Sequence, residues 1–357
     1  MAPQAGLLKA IRRAELSACG NAAAFLQSDF WGAFKARFGW EALAFNAEWE
    51  GGEAPLLVLR RSLSAGFSLA YIPWGPQLPP LFPAGDALRG AALKELACAL
   101  KAQLPADTAF IRFDPPWHAE GPPPRIPPPF VRAGADIQAP DTVLVRLDPP
   151  MEAVVARMKP KWRYNARLAL KKGVAVRRAV PEETGVFYGL LKETASRDGI
   201  AIHSAAYYET LLAGSLGVDA RLYLAEHEGD ALAGIVTLFR GREAVYLYGA
   251  SSDKKRNLMA PYALQVKAME DAMAAGCVEY DLFGIPPSDD PSHPMAGLYL
   301  FKTGFGGRIV RRPGSWDFPC RPLVYRLFRS AERFRKSLRT LKKMLARSSF
   351  KASRNDP

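Results

Sequence analysis

Cysteine and histidine are scarce in this sequence, and neither is arranged as a metal or redox site. The four cysteines lie far apart, at Cys19, Cys98, Cys277 and Cys320. The four histidines are equally scattered, at His118, His203, His227 and His293. No zinc-ligand spacing, thiol–disulfide pair or nucleophile elbow is formed. The sequence therefore indicates neither zinc nor nucleophilic hydrolase chemistry, and we expect no metal and no other cofactor.

Long apolar runs are also missing. No run reaches the 18 or so apolar residues that a membrane-spanning helix needs. The N-terminal stretch MAPQAGLLKAIRRAELSACG places its arginines after a short apolar segment, which is the reverse of the order in an export signal. With 49% hydrophobic and 23% charged residues over 357 positions, the chain has the composition and length of a two-domain globular protein. We expect it in the cytoplasm.

Acidic residues are absent from one long stretch, and positive charge is concentrated in two zones. The net charge is +13, and residues 321–357 hold twelve Lys/Arg against two acids. Residues 153–180 hold nine Lys/Arg and no acid. Such unmixed zones favour anionic partners, namely phosphates, RNA or anionic lipid, over a merely solubilising surface.

Strand and helix patterns alternate in two passes and predict a mixed α/β fold. In the first pass, Ser28 or Asp29 caps a helix running toward Gly39. Strands are predicted at 56–59, 67–72 and 108–113, and a helix at 86–104. Residues 115–129 contain eight prolines, so we expect a stiffened surface loop there.

The second pass begins with a strand at 142–147 and one long basic helix at 151–172, ended by Gly173. The later strands are predicted at 174–178, 220–226, 231–240, 244–250 and 278–283, and the helices at 182–197, 205–214 and 261–275. The strand at 278–283 is expected to close the sheet.

Five motifs follow one another between about residues 20 and 320. They are Gln27-Ser28 with Trp31, Lys35 and Gly39-Trp40; Lys161-Trp-Arg163 through Gly173; Tyr246-Leu-Tyr248-Gly-Ala-Ser251; Glu279-Tyr-Asp281-Leu-Phe-Gly284; and Phe301-Lys302-Thr-Gly304-Phe305-Gly306. Together they resemble the motifs of the FemABX aminoacyl transferases, and the last is similar to the closing "FK-x-GFG" signature of that family.

This resemblance implies two tandem domains related to the GNAT (acyl-CoA N-acyltransferase) fold. We place domain 1, on the acceptor side, at 1–141 and domain 2, with the FK-x-GFG segment, at 142–312. A return segment and a basic amphipathic helix occupy 313–357. Longer family members insert a coiled-coil hairpin in domain 2, but the tight connection at 226–231 leaves none here, as in the compact FemX form. We expect a monomer.

The resemblance also implies a reaction. An amino acid passes from aminoacyl-tRNA to the stem-peptide amine of a peptidoglycan precursor, either lipid II or UDP-MurNAc-pentapeptide. Lys302, before a glycine-rich turn, is the candidate cation for the oxyanion or the departing ribose oxygen. Phe301, directly before it in the same motif, is predicted as a catalytic residue with it. A lysine on a solvent-facing hairpin is the alternative. Asp114 is the candidate carboxylate near the incoming amine, and the alternative is a turn-forming aspartate before Pro115.

The acceptor-binding residues follow from the same resemblance. Lys35 matches a lysine that contacts the diphosphate of the muramyl peptide. Its usual companion arginine, four residues ahead of a tyrosine, is replaced here by His203 ahead of Tyr207. A neutral histidine lacks the fixed fork of an arginine. The second phosphate contact is therefore weakened, pH-sensitive, or supplied by Arg197.

Tyr246 and Tyr248 stand two apart on a predicted strand, so both are expected on one face. If that face lines the cleft, their hydroxyls can orient the muramyl peptide. If it does not, they are half-buried tyrosines packed on a helix, and the sequence favours neither reading.

The basic helix in the second zone is a candidate for phosphate contact with tRNA. Its candidate residues are Lys161, Arg163, Arg167, Lys171 and Lys172. Arg163 and Arg167 share a helix face, which Lys171 continues. Trp162 and Tyr164 can stack on a base, although packing against the sheet is the commoner role of such residues.

The C-terminal zone carries an apolar stripe on a basic helix. The stripe consists of Leu323, Leu327, Phe334, Leu338, Leu341 and Leu345. It suits an anionic membrane surface, a tRNA backbone or docking on the body of the protein, and we favour peripheral contact with the inner face of the cell membrane.

Two other functions are consistent with parts of the sequence. An ordinary acyl-CoA acetyltransferase needs a glycine-rich turn at a helix N-terminus. Residues 254–261 contain no glycine, and Pro261 removes an amide donor. A non-catalytic RNA- or membrane-binding adaptor would use the basic zones alone.

Overall fold

The structure is a computed structural model that describes residues 7–335, except 83–84, 119–125 and 215, together with residue 337. The described residues form two seven-stranded mixed sheets covered by helices, as the alternating pattern predicts. No helix within these residues combines the length and apolarity needed to cross a membrane.

The first sheet comes mainly from the N-terminal part of the chain. Its strands are β1 (Leu8–Ala14), β2 (Glu41–Trp49), β3 (Gly52–Ser62), β4 (Ser68–Ile72), β5 (Thr108–Phe113), β6 (Val131–Arg132) and β14 (Trp316–Pro319). Sequence patterns predict β3, β4 and β5 but miss β1 and β2, because alanine and charged residues interrupt the apolar alternation in both.

The second sheet comes from the rest of the chain. Its strands are β7 (Asp141–Arg146), β8 (Ala175–Arg178), β9 (Asp219–His227), β10 (Asp230–Arg240), β11 (Glu243–Ser251), β12 (Glu279–Ile285) and β13 (Arg308–Val310). The prediction that the strand at 278–283 closes the sheet is wrong, because β7 and β13 lie beyond β12. The link between β9 and β10 is tight and contains no coiled-coil insertion.

The two sheets repeat one strand order. The first runs β1-β2-β3-β4-β5-β14-β6 and the second β8-β9-β10-β11-β12-β7-β13. Within each, the parallel pair occupies the same place, β4 with β5 and β11 with β12. The return segment predicted at 313–357 begins by supplying β14 to the first sheet. Each half is thus completed by a strand that is distant in sequence from its neighbours.

Eight α-helices with complete bounds cover the sheets in the described part of the chain. They are α1 (Asp29–Ala36), α2 (Asp86–Gln103), α3 (Met151–Arg157), α4 (Pro160–Lys171), α5 (Thr184–Asp198), α6 (Ala205–Leu212), α7 (Ala260–Ala274) and α8 (Ala296–Thr303). The prediction of one helix over 151–172 is wrong. Met158 and Lys159 are extended, and Pro160 begins α4, a position where the missing proline N–H costs nothing.

Each sheet with the helices that cover it forms one half of the molecule, and the half that contains β1 is the first. Three apolar clusters form the core, and one of them joins the two halves. In this shared cluster Phe34 and Tyr71 from the first half lie with Tyr207 and Val236 from the second. Each half also has a cluster of its own, between its sheet and α2 or α7. We call the shared cluster the seam.

Beyond β14 the chain forms a helix over residues 322–335, here α9. Its inner side is attached to the first half, where Phe328 lies 4.9 Å from Phe110 between ring centroids and Tyr325 is buried. Its outer side exposes Leu323, Leu327 and Phe334. The predicted stripe residues Leu338, Leu341 and Leu345 lie outside the described residues.

The proline-rich stretch at 115–129 is described in part. Trp117 and Ile126 are buried in the core of the first half, and Pro127 packs against Gly90 of α2. The prediction of a surface loop over 115–129 is therefore wrong at Trp117 and Ile126, because their side chains fill the core, and residues 119–125 lie outside the described part of the chain.

Candidate functional site

The Gln27-Ser28 motif fixes α1 against the first sheet. The buried Gln27 amide donates to the carbonyls of Leu57 (3.2 Å) and Pro73 (2.6 Å), and its oxygen accepts from the Leu57 amide (2.9 Å). Ser28 caps the helix by accepting from the amide of Trp31. These bonds connect α1 to β3 and to the segment after β4, so the side chains of α1 have a defined position at the seam.

Lys35, in the last turn of α1, is surrounded by aromatic rings. Its Nζ lies 5.4 Å from the ring centroids of Trp31 and Tyr207 and 5.9 Å from that of Trp40. Burial, and to a smaller extent the charge of Arg61, lowers the pKa of Lys35 to about 8. No carboxylate in the described part of the chain forms an ion pair with it.

His203 and Tyr207 meet Lys35 from the second half. The two rings stack with centroids 3.9 Å apart, and the Tyr207 hydroxyl lies 3.1 Å from that of Tyr248. Burial and the nearby Lys35 lower the pKa of His203. Arg197, the alternative phosphate contact, bonds instead to the carbonyl of Ser251 and to acidic neighbours.

The two tyrosines of the β11 motif do not share a face. A register shift opposite Val236 and Thr237 adds Leu247 to β11 as a bulge. Tyr246 therefore packs in the core of the second half, whereas Tyr248 packs at the seam. The prediction of a common face is wrong because the bulge interrupts the strand alternation.

The second sheet opens where β11 and β12 separate. The strands pair only as far as Val245 with Asp281, while β12 goes on to pair with β7 as far as Ile285. Tyr246 stands on one side of this opening, and the carbonyls of Phe283 and Gly284 stand on the other.

Lys302 fills this opening. It lies in the last turn of α8, 6% exposed, rather than on a solvent-facing hairpin. Its Nζ donates to the carbonyls of Gly284 (2.9 Å) and Phe283 (3.4 Å) and lies 5.0 Å from the ring centroid of Tyr246. Burial lowers the pKa of Lys302 to about 7, although the charge of Asp281 opposes this shift.

Two further charged groups near Lys302 have buried atoms with no partner among the described residues. Asp281 accepts from the Thr142 hydroxyl and from the Phe283 amide, but its Oδ2 is unpaired. The guanidinium of Arg312 lies 4.3 Å from the Trp74 ring centroid, and its Nε is unpaired. Burial raises the pKa of Asp281 and lowers that of Arg312. Buried polar atoms usually have a hydrogen-bond partner, and here two charged groups with unpaired atoms and altered pKa values lie near a third, which is typical of a functional site.

The backbone is strained at the same place. Trp74 has φ 43° and Phe283 has φ 57°, values that bulky residues rarely adopt. Their rings lie 5.5 Å apart between centroids. Such strain tends to collect at functional sites, where the surrounding structure holds it.

The glycines after Lys302 are required by packing. A Cβ on Gly304 would overlap the ring of Trp162, one on Gly306 would overlap the carbonyl of Arg157, and one on Gly307 would overlap the carbonyl of Leu144. Most of the FK-x-GFG signature is therefore explained by close packing.

Phe301 also belongs to the packing of this region. Its ring lies 5.2 Å from that of Tyr262 and 5.1 Å from that of Phe305 between centroids. Its carbonyl accepts from the Trp162 indole at 2.8 Å. The structure thus gives Phe301 a packing role next to Lys302, and its predicted catalytic role stays a prediction.

The basic helix α4 is anchored beside α8 and exposes most of its charges. The amide of Lys159 donates to the Gly304 carbonyl at 2.9 Å. Arg163 donates to the carbonyls of Ala156 (3.0 Å) and Met158 (2.7 Å) at the end of α3, so it is not free. The exposed basic residues of this segment are Lys161, Arg167, Lys171 and Lys172.

Asp114 lies apart from Lys302, inside the first half. It is 4% exposed, and its two oxygens accept from the hydroxyls of Tyr71 and Ser315. Burial raises the pKa of Asp114 to about 6, although these two hydrogen bonds oppose the shift. Both oxygens are buried and each already accepts a hydrogen bond, so the catalytic role stays a prediction without a supporting contact.

Six of the predicted residues fall into two clusters. The Lys35 cluster holds Lys35, His203, Tyr207 and Tyr248. The Lys302 cluster holds the predicted Lys302 and Tyr246 together with Asp281 and Arg312, which are not among the predicted site residues. Aromatic rings connect the two clusters. Trp31 lies 5.5 Å from Phe25, and Phe25 lies 6.2 Å from Phe283 between centroids. Phe283 in turn supplies a carbonyl to Lys302.

Comparison with known proteins places the chain in a family. The FemAB family model matches residues 131–231 and 220–333, which is more than half of the chain. The chain belongs to the FemAB family. This finding confirms the resemblance that the five motifs indicate.

Curated relatives of this FemAB chain include the lipid II:glycine glycyltransferases of two staphylococci. The Staphylococcus epidermidis protein is 24% identical over an alignment 253 residues long, which covers 54% of this chain and 61% of that protein. The Staphylococcus aureus protein is 24% identical over 258 residues, with the same coverage. The matched part of the chain thus spans about three fifths of the length of these relatives.

Solved structures confirm the predicted fold. The crystal structure of FemX matches with a TM-score of 0.73 and 20% identity over 89% of this chain and 99% of FemX. A tandem GNAT protein from the clavulanic acid pathway matches with a TM-score of 0.50 and 12% identity, over 87% of this chain and 98% of that protein. The FemAB chain therefore has two tandem GNAT-like domains.

Sequence reasoning missed part of the Lys302 cluster. Asp281 stands in the apolar strand β12, and a charged residue in such a strand is a usable signal. Trp74, Phe283 and Arg312 carry no comparable signal, because only the fold brings them together.

Proposed function

We propose that this chain is an aminoacyltransferase that forms peptidoglycan bridges. It moves an amino acid from aminoacyl-tRNA to the stem-peptide amine of a precursor, lipid II or UDP-MurNAc-pentapeptide. The names of the staphylococcal relatives support this class of reaction. In the reaction the amine nitrogen bonds to the ester carbonyl carbon, and the bond from that carbon to the ribose oxygen breaks. One proton leaves the amine and one is taken up by the ribose oxygen.

The observation that carries the proposal is the buried ammonium of Lys302 at the opening between β11 and β12. An ammonium held by backbone carbonyls of Phe283 and Gly284 is already oriented. A preoriented cation in a site shielded from water stabilises the oxyanion of acyl transfer. Its pKa near 7 also suits proton donation to the departing ribose oxygen.

Under this proposal the Lys35 cluster binds the acceptor. Lys35 would contact the diphosphate, while Tyr207, Tyr248 and His203 would position the muramyl peptide beside it. Their convergence at the seam supports this assignment. Tyr246, which contacts Lys302 rather than Lys35, would act at the reacting end of the substrate.

Under the same proposal α4 binds the tRNA backbone through its exposed basic residues. Its anchorage beside α8 supports this, since tRNA held there would lie next to the Lys302 cluster. Arg163 would contribute through the position of α4, because its guanidinium is occupied by carbonyls.

We place the outer side of α9 against an anionic membrane surface. Leu323 is 75% exposed, Leu327 is 72% exposed and Phe334 is 65% exposed. The exposed Arg326, Arg333 and Arg335 stand among them. A helix with such a face lies in the interface of an anionic bilayer, which would bring the enzyme to a lipid-linked acceptor.

The decisive experiment supplies the pure protein with labelled aminoacyl-tRNAs, one at a time, and with either acceptor. We expect an amide-linked aminoacyl muramyl peptide from at least one pair. A folded protein that forms no such product with any pair would overturn the proposal.

Two further assays distinguish the acetyltransferase and adaptor alternatives. Transfer from labelled acetyl-CoA would favour an acetyltransferase, and binding of tRNA or vesicles without transfer would favour an adaptor. The loop before α7 argues against coenzyme A, because Lys254 and Lys255 are paired with Asp230 and Glu228.

A further inference from the structure

Two consecutive arginines at the end of β3 have opposite environments. Arg60 bonds to Glu41, Asp107 and Ser68. Arg61 is exposed, and no carboxylate within the described ranges lies within ion-pair distance of it. Successive side chains of a strand point to opposite faces. One arginine of the pair is thus neutralised within the fold, and the other carries its charge toward the seam.

Arg61 reaches the surroundings of Lys35 through Trp40. Its guanidinium carbon lies 5.4 Å from the centroid of the Trp40 ring, and the Nζ of Lys35 lies 5.9 Å from the same centroid. The two cations are therefore at most about 11 Å apart by these distances. Arg61 is also close enough to disfavour the charged form of Lys35. Their mutual repulsion is not relieved by any acidic side chain of the described residues.

The other candidate cations of this region cannot take the same role. Arg197 is occupied by Asp198, Asp253 and the Ser251 carbonyl. His203 lies flat on Tyr207, and its lowered pKa leaves it neutral at physiological pH. An arginine keeps its charge at every such pH and offers several donors in a planar fork.

We propose that Arg61 is the second cation of the phosphate site of the acceptor and acts together with Lys35, since both side chains lie against Trp40. The inference rests on the proposed function and extends it, since it assigns the companion contact to the first half of the chain. Two cations this close together, neither in an ion pair with a described carboxylate, fit a doubly charged diphosphate group better than a single carboxylate.

The test measures binding, without catalysis, of two muramyl pentapeptides to the full chain. One is UDP-linked and carries the diphosphate, and the other lacks it. We expect Arg61→Gln to weaken the UDP-linked ligand about tenfold or more, the loss of one charge-assisted contact. We expect the diphosphate-free ligand to bind Arg61→Gln and the wild type equally. The affinity of Arg61→Lys for the UDP-linked ligand should lie between those of Arg61→Gln and the wild type, since lysine keeps the charge but lacks the planar fork of donors.

Arg242→Gln is the matched control, because Arg242 is an exposed arginine of the second half without a side-chain hydrogen bond. It should bind both ligands as the wild type does. Thermal unfolding of each variant should match the wild type closely, since no described residue forms a hydrogen bond or ion pair with the Arg61 side chain and its contact with Trp40 is made by an exposed side chain.

The outcomes separate this inference from the proposed function. Equal affinity of Arg61→Gln and wild type for the UDP-linked ligand would overturn the role of Arg61. Equal weakening of both ligands would overturn it as well. A wild type that binds the diphosphate ligand through Arg61 but transfers no amino acid would overturn only the proposed function. A wild type that binds neither ligand would overturn the role of Arg61, whereas the proposed function fails only if no amino acid is transferred to either acceptor.

Discussion

At the scale of single residues, the charge on Lys302 can be tested most directly by mutation. We expect Lys302→Ala to lower turnover by about 100-fold or more, the usual cost of losing one oxyanion donor. Lys302→Met is the matched control, because it keeps the aliphatic stem against Tyr246 and removes only the charge. Both variants should lose turnover alike in the tRNA-dependent assay. Full turnover in Lys302→Met would show that the ammonium is dispensable.

The pH dependence of turnover should report the same group. In the proposed reaction Lys302 acts as an ammonium, and its pKa is about 7, so the fraction of protein in the active form would decline as pH rises through 7. We expect an alkaline fall in turnover beginning near that pH. In Lys302→Arg the fall should move to higher pH, since arginine stays charged. If turnover falls at the same alkaline pH in the wild type and in Lys302→Arg, the fall reports the titration of another group.

Asp114 should act on stability. Its folded pKa of about 6 lies above the usual value, so ionisation costs stability in the folded protein. Protonated Asp114 contributes to the free energy of unfolding. This contribution is fully present below about pH 4 and is lost as pH rises through 6. Asp114→Asn should remove this dependence, measured as the midpoint of thermal unfolding from pH 4 to 7, and should keep most of its turnover. A loss of turnover of about 100-fold in a folded variant would instead support the predicted role of Asp114 as the carboxylate near the incoming amine.

At the scale of elements, α4 carries exposed basic residues that we propose bind tRNA and one arginine, Arg163, that holds the helix in place. We expect the double variant Arg167→Gln/Lys171→Gln to weaken tRNA binding and to reduce the slope of log affinity against log salt by about one to two. Lys94→Gln/Lys101→Gln on α2 is the matched control, with two exposed lysines of the other half. An unchanged salt slope in the α4 variant would contradict the assignment.

Arg163 on the same helix should behave differently. Its bonds to Ala156 and Met158 hold α4 to the end of α3. Arg163→Gln should therefore lower the free energy of unfolding by about 1 kcal/mol. Chemical denaturation of this variant and of the double variant, side by side, should separate the two roles.

At the scale of the whole molecule, α9 carries the proposed contact with the membrane. We expect the protein to bind vesicles containing phosphatidylglycerol and to leave vesicles of phosphatidylcholine alone. Leu323→Gln/Leu327→Gln should abolish this binding without unfolding the chain, because both side chains are exposed. Leu81→Gln, an exposed leucine of the first half, is the control. Vesicle binding that survives the double variant would place the membrane contact elsewhere.

Both clusters contain residues from the two halves of the chain. The Lys35 cluster takes Lys35 from the first half, where Trp40 also contacts it, and Tyr207 and Tyr248 from the second. Both halves therefore have to be folded and docked before the proposed acceptor site exists. The Lys302 cluster has the same property, since Arg312 meets Trp74 from the first half.

The sequence by itself determined the elements and the family. The apolar periodicities placed most strands and helices, because side-chain burial repeats every two residues in a strand and about every 3.6 in a helix. Pro160 also explains why α3 and α4 are separate, although the unbroken charge pattern concealed the break. The five motifs placed Lys35 and Lys302 among the candidates.

Only the tertiary structure decided what surrounds those two lysines. The bulge at Leu247 separates Tyr246 from Tyr248, and no local pattern announces a bulge. Arg60 and Arg61 are the same residue type side by side, and their different partners come from elements that are distant in the chain. Desolvation and charge pairing depend on three-dimensional neighbours, so the altered pKa values and the unpaired charges exist only once the chain is folded.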